Sequence, residues 1–281
     1  MIINRRNMLA GAAGAAAFAV LDFPITPAFA AQIKAIGLQL YTVRDIFEKD
    51  PVGTLEKVAR IGYREVEFGG GGYDSMDAAM LRKTLDRLGL KAPSVHIGYD
   101  ALLQNFDKSL SMAKTLGADT VVLPYMAQEH RTEQAWQAAL PNFNRFAADF
   151  KKAGLGFAYH NHDFEFTTKP GGTSLYDRFV KETDPSLVKV ELDLYWAAHA
   201  GESLAPLIDR LAGRIYAYHV KDMRADGSMA AVGAGTIDFA ALFKLKSSAG
   251  VRHFYVENDQ APAPYIPDIT TSFETLHTLR F

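Results

Sequence analysis

Phe157-Ala-Tyr-His160-Asn-His162, Val188-Lys-Val-Glu191-Leu-Asp193, Ile215-Tyr-Ala-Tyr-His219 and His253-Phe-Tyr-Val-Glu257 share one pattern, a short β-branched and aromatic run that ends on a histidine or a carboxylate. Runs of this length and composition read as strands. They belong to a longer series of eight: Ile36–Tyr41, Tyr63–Phe68, Ala92–Ile97, Thr120–Pro124, Gly156–His160, Val188–Leu194, Ile215–Val220 and His253–Glu257. Between them lie amphipathic segments, Pro51–Ile61, Ser75–Leu88, Tyr99–Leu116, Glu133–Ala153, Tyr176–Lys181, Leu204–Leu211 and Phe239–Ser248. Several close on a glycine suited to a helix C-cap, at Gly62, Gly89, Gly117, Gly154 and Gly250. Strand alternating with helix marks a parallel sheet with crossover helices. Eight units in regular order favour a closed barrel, and no G-x-G-x-x-G follows the first strand to argue for an open dinucleotide-binding sheet. The expected fold is α/β, a single-domain (β/α)8 TIM barrel over residues 31–281, close to the ~250 residues usual for that fold.

The N-terminus reads as an address. Asn4-Arg5-Arg6-Asn7-Met8-Leu9 sets paired arginines before an apolar run from Met8 to Val20, shorter than the roughly 20 residues that cross a bilayer. Pro24 and Pro27 follow, then Ala28-Phe29-Ala30, the small-x-small pattern of a signal-peptidase site. We expect residues 1–30 to be a cleavable signal peptide. The arginine pair resembles a twin-arginine signal, with a Sec-type signal as the alternative. Either places the protein in the periplasm or otherwise outside the cytosol, with no membrane association after cleavage.

The whole chain carries a formal charge of −2 and no cysteine, which rules out disulfides and thiolate ligands. No basic block is present, so nucleic-acid binding lacks its electrostatic footprint. The Gly69-Gly-Gly-Gly72 run opens no phosphate loop and reads as a permissive βα turn or a mobile loop over the site.

Catalytic side chains of a parallel barrel gather at the C-terminal ends of its strands. Period-two alternation pairs Glu191 with Asp193, His219 with Lys221, His160 with His162, and Glu257 with Tyr255 and Asp259. A single strand-end histidine is ordinarily a hydrogen-bonded residue, and Glu257 in a Val-Glu-Asn-Asp turn could cap the next helix. Four consecutive strand ends carrying His, Asp, His and Glu point elsewhere, because inward carboxylates need a counter-charge and one divalent cation would satisfy them together.

The segments Val190-Glu-Leu-Asp193-Leu-Tyr-Trp196, Ala217-Tyr-His219-Val-Lys-Asp222 and Tyr255-Val-Glu257 resemble strands six to eight of the xylose isomerase-like TIM-barrel superfamily. Ile36-Gly-Leu-Gln-Leu-Tyr-Thr-Val-Arg44 and Pro93-Ser-Val-His-Ile-Gly98 are similar to its first and third strands, and Gly233-Ala-Gly-Thr-Ile-Asp-Phe239 to the segment after strand seven. That superfamily holds sugar isomerases, ketose 3-epimerases, hydroxypyruvate isomerases, inosose dehydratases and endonuclease IV. The resemblance implies one divalent ion on Asp193, His219, Glu257 and a strand-five residue. Epimerases carry Glu at that last position, where this chain has His160, and His162 is the alternative ligand or an acid/base. The imidazole donors tilt the expected ion towards Mn, Co, Zn or Fe and away from Mg.

The expected activity is that of a metal-dependent isomerase or epimerase on a non-phosphorylated sugar or keto-sugar, by proton abstraction beside a polarised carbonyl. The alternatives are a lyase or hydratase acting on a 3-keto-sugar or inosose, and a non-catalytic exported sugar-binding protein. Glu257, His162 and Lys221 are the candidate catalytic groups; for Lys221 a salt bridge to Asp222 or Glu191 is the competing role. Glu67 and His96 are expected at the mouth as substrate contacts, and Tyr41 and Trp196 as stacking surfaces, with barrel packing as the alternative for each. Barrels of this superfamily often pair through their outer helices, so a homo-oligomer is compatible with the sequence.

Overall fold

The computed structural model describes residues 31–281; the expected signal peptide lies outside the described residues. Eight parallel strands form a closed barrel: β1 (Gly37–Gln39), β2 (Glu65–Phe68), β3 (Lys91–His96), β4 (Thr120–Leu123), β5 (Gly156–His160), β6 (Val188–Asp193), β7 (Ile215–Val220) and β8 (His253–Val256). The ring closes where Gly37 and Leu38 of β1 register with Tyr255 and Val256 of β8. Each strand pairs with its sequence neighbours, as short right-handed βαβ crossovers require.

Strand alternation sorts the side chains into two apolar layers. Leu38, Val66, Val95, Val121, Phe157, Val190 and Tyr218 point outward into the main core beneath the helices. Val122, Ala158, Ala217 and Tyr255 form a separate small cluster inside the barrel. Inward positions nearer the C-terminal ends are polar instead, with Gln39, Glu67, Ser94, His160, Glu191, Asp193 and His219 all buried. The barrel is thus plugged by apolar side chains at one end and by ionisable ones at the other.

Helix starts follow side-chain caps. Asp50 accepts from Gly53 N, Thr132 from Ala135 N and Ser174 from Asp177 N, opening helices Pro51–Ile61, Glu133–Lys152 and Leu175–Glu182. Two expected helices are shorter than the apolar pattern implies. Ser75–Leu88 begins only at Ala78, after Asp77 caps Ala79 and Met80, and Phe239–Ser248 ends at Phe243. Tyr99–Leu116 divides at Asn105, whose non-helical backbone (φ −139°, ψ 44°) separates Tyr99–Gln104 from Phe106–Leu116. Helix Ile266–Thr278 is absent from the sequence expectation, since its Thr-rich pattern with Pro267 is a weak helical signal.

Barrel closure depends on a glycine. A Cβ on Gly37 would strike the ring of Tyr255, the side chain that fills the barrel interior beside it. Gly37→Val should therefore overpack the seam and cost about 1–3 kcal/mol. A urea-unfolding midpoint equal to that of the wild type would show that the seam has slack.

Candidate metal centre

The strand register brings the ionisable ends together. His160 lies opposite Glu191 on β6, Asp193 opposite His219 on β7, and His219 opposite Tyr255 on β8, two residues before Glu257. One ligand atom from each of His160, Asp193, His219 and Glu257 lies within 4.8 Å of the others, and all four residues are buried. His219 Nδ1 is 2.7 Å from Glu257 Oε2 and 3.9 Å from Asp193 Oδ2; His160 Nε2 is 3.9 Å from the same Asp193 oxygen. Asp193 Oδ1 accepts from Trp196 N, which fixes the carboxylate by making it the cap of helix Leu194–His199. Asn161 holds the same turn, donating to Asp193 O and accepting from Asp193 N.

These residues fit a divalent ion. Asp193 Oδ2 is buried, makes no hydrogen bond and has the Lys221 ammonium as its one close counter-charge, while both His160 and His219 stand 3.9 Å from it. The donor set of two imidazoles and two carboxylates suits a first-row transition metal. Lys221 is the nearest fixed positive charge, its Nζ 3.1 Å from Asp193, 2.9 Å from Glu257 and 2.9 Å from Asp259.

Beneath this group lies a second one. His219 Nε2 is 2.8 Å from Glu67 Oε2 and 2.8 Å from Glu191 Oε1, and His96 Nε2 is 2.9 Å and 2.8 Å from the same two oxygens. Gln39 Nε2 donates to Glu67 at 2.7 Å. Here the sequence expectation for Glu67 is corrected. It is fully buried in the barrel interior and does not line the cavity, because its inward position on β2 sits below the rim.

A cavity of about 820 Å³ opens above the site. His96, His160, His162, Trp196, Lys221 and Glu257 line its inner end, and Tyr41 stands at the rim, its ring under the Arg44 guanidinium at 4.1 Å. Trp196 Nε1 and His162 Nδ1 are buried without partners. Gly70, at φ 73°, brings the Gly69–Gly72 turn against Tyr41, where a Cβ would come within 2.6 Å of the ring. The glycines thus permit a close approach at the rim.

Burial, helped by the charge of Lys221, pulls the His162 imidazole down to about 3, so it stands neutral in the ion-free site. Burial opposes the charge on Lys221, but Asp193, Asp259 and Glu257 outweigh it and hold the ammonium well above its ordinary range. Lys221 is thus held protonated by three carboxylates. Neither expected salt-bridge partner is among them: Asp222 accepts from the backbone N–H groups of Met223, Gly233, Gly235 and Ile237, and Glu191 faces the histidines.

Two cavity residues escape a sequence reading. Tyr125, after β4, is 46% exposed and lies 5.1 Å from the His162 ring, and a tyrosine following a strand carries no distinguishing signal. Asp259 shares the parity of Glu257, which is the only hint of its place.

Residues 55–264 match the family model described as a xylose isomerase-like TIM barrel. The chain is similar to the inosose dehydratase of Mesomycoplasma hyopneumoniae strain 7448, at 25% identity over 60% of this chain and 61% of that protein. The chain therefore spans about three-fifths of the length of that curated relative. Similarity to the inosose dehydratase of Geobacillus kaustophilus extends further, at 26% identity over 78% of this chain and 82% of the relative. A solved sugar phosphate isomerase/epimerase from Parabacteroides distasonis superposes with a TM-score of 0.73 at 24% identity, covering 92% of this chain and 98% of that one. That last likeness bears on the fold alone.

The turn that carries His162 rests on a buried carboxyl. Glu165 Oε2 accepts from His162 N at 2.8 Å, and Oε1 lies 2.5 Å from Tyr159 Oη. Burial pushes this carboxyl up to about 8, against the pull of the bonds from Tyr159 and the backbone. A carboxyl with a raised folded-state pKa binds its proton more tightly in the folded chain. Its contribution to stability is therefore complete below the unfolded pKa and declines as pH rises through the folded value, by up to about 1.4 kcal/mol per pH unit. Glu165→Gln should keep both contacts and remove this decline between about pH 4.5 and 8. Unfolding curves of equal pH dependence for the two proteins would show that Glu165 is ionised.

Proposed function

The chain belongs to the xylose isomerase-like TIM-barrel family, and from that premise we propose that it is a metal-dependent lyase of the dehydratase or hydratase type acting on a keto-sugar or keto-inositol. The observation that carries this reading is the asymmetry of the cavity floor. An unpartnered neutral imidazole, His162, and a carboxylate-held ammonium, Lys221, both line it. An epimerase needs matched groups on opposite faces of one carbon, and strand five offers His160 where the epimerases it resembles carry Glu. Elimination of water needs one base and one acid. The inosose dehydratases among the relatives support the same class of reaction.

His160, Asp193, His219 and Glu257 would hold the divalent ion, which when bound supplies Lewis-acid polarisation of a substrate carbonyl. His162 takes the proton from the carbon beside that carbonyl. The electron pair of the broken C–H bond becomes the new C=C bond as the β-hydroxyl leaves. Lys221 gives a proton to the departing oxygen, which is released as water, and Asp259 beside it can resupply that proton. Hydration follows the same steps in reverse. Trp196 and Tyr41 offer flat surfaces to the sugar ring, and His96 offers a hydroxyl contact at the inner wall.

The Arg5-Arg6 pair, the apolar run and Ala28-Phe29-Ala30 support export with cleavage after Ala30. N-terminal sequencing of the protein recovered from the periplasm, beginning at Ala31, is the expected result.

Metal-loaded protein incubated with keto-sugars and keto-inositols in heavy water should release water and form an unsaturated ketone. Deuterium incorporation with C-epimer formation and no loss of water would return the reading to an isomerase. His162→Gln should lower kcat by roughly 10²–10⁴-fold with ion content unchanged. Loss of the ion in that variant would make His162 a ligand.

A further inference from the structure

Three imidazoles converge on one carboxylate oxygen. Glu191 Oε1 lies 2.8 Å from His96 Nε2, 2.8 Å from His219 Nε2 and 3.4 Å from His160 Nδ1, the last a close approach without hydrogen-bond geometry, at a nitrogen that has no other partner. Glu191 is fully buried, on the inward face of β6 two residues before Asp193. An ionised carboxylate only accepts hydrogen bonds, so a ring nitrogen that faces it is best met as N–H. A neutral imidazole has one N–H and one lone pair. A proton kept on His219 Nε2 leaves the Nδ1 lone pair facing Glu257 and Asp193, and a proton kept on His160 Nδ1 leaves the Nε2 lone pair facing Asp193. The two rings use opposite nitrogens, yet both lone pairs are delivered to the same side.

We infer that Glu191 is a positioning residue that sets the tautomers of both imidazole ligands and so places the ion among His160, Asp193, His219 and Glu257. The alternative grouping of His96, His160, Glu191 and His219 also has ligand atoms within 4.8 Å of one another. An ion there would need both rings to turn their lone pairs downward, leaving protonated nitrogens against the Asp193 and Glu257 side. Glu67 shares the hold on His219 Nε2, but among the described contacts Glu191 alone reaches both His219 Nε2 and His160 Nδ1. With an imidazole in the strand-five position, Glu191 also restores behind the site the negative charge that a ligand carboxylate would have brought. A carboxylate that orients a metal-bound histidine is a recurrent device, and its loss typically weakens ion binding by 10–100-fold.

This inference rests on the metal-dependent reading above, and the experiment separates the two. Cobalt(II) titration of the wild-type protein, with elemental analysis and visible absorption, should give one ion per chain. Glu191→Gln should bind cobalt about 10–100-fold more weakly, with an altered absorption spectrum and an unchanged melting profile. In the zinc-loaded wild type, nitrogen NMR should find His219 protonated at Nε2 and His160 at Nδ1. Wild-type affinity and spectrum in Glu191→Gln would overturn the inference while leaving the metal reading intact. So would two cobalt ions per chain falling to one in the variant, since Glu191 would then be a ligand itself. If the variant does not fold, the tautomers of the wild type decide, and the opposite assignment at either ring overturns the inference. A wild-type chain that takes up no cobalt overturns the metal reading and this inference with it.

Discussion

Five carboxylates crowd the C-terminal end of the barrel interior around a single lysine. Glu67, Glu191 and Asp193 are fully buried, Glu257 nearly so, and only Asp259 retains appreciable exposure, against the one ammonium of Lys221. Burying that much negative charge costs far more than the packing of a few strand ends returns, unless counter-charges are supplied. The surrounding structure answers this demand. Lys221 takes three of the carboxylates, His96 and His219 bridge Glu67 and Glu191, and the Asp193 oxygen that meets Lys221 also stands 3.9 Å from both His160 and His219. A divalent ion among these groups would complete the balance.

The closed barrel is what makes such an arrangement affordable. Each strand contributes one or two inward side chains at its end, and no single strand has to bury the cluster alone. Outward-facing Val, Leu and Phe residues from the same strands anchor the ring beneath the helices. The apolar plug of Val122, Ala158, Ala217 and Tyr255 closes the other end. Ionisable groups therefore meet in a layer whose walls are rigid and whose upper side opens into the cavity, the geometry that preorganises charge for catalysis.

Asymmetry follows from one residue. With His160 at the end of strand five, the site holds a carboxylate on strand eight without a facing partner on strand five. In the proposed reaction that role passes to His162, whose backbone N–H the Glu165 carboxyl holds. A neutral imidazole and a carboxylate-held ammonium lining one cavity favour chemistry that removes a proton in one place and delivers one in another.

The β/α alternation, the closed barrel and the residues at the strand ends were legible in the sequence because periods of 2 and 3.6 are imposed by local backbone geometry. β5 and β7 match their sequence-derived bounds, and Pro51–Ile61 does as well. Parity along β6 pairs Glu191 with Asp193, but parity carries no depth, and the two lie in different layers. Depth comes from the stagger between neighbouring strands, which placed Glu67 below the cavity and tied Lys221 to Asp193, Glu257 and Asp259 in place of Asp222 or Glu191. The sequence by itself determined which side chains point inward. Tertiary structure alone decided which nitrogen of His219 faces which carboxylate, because that depends on distances between strands far apart in the chain.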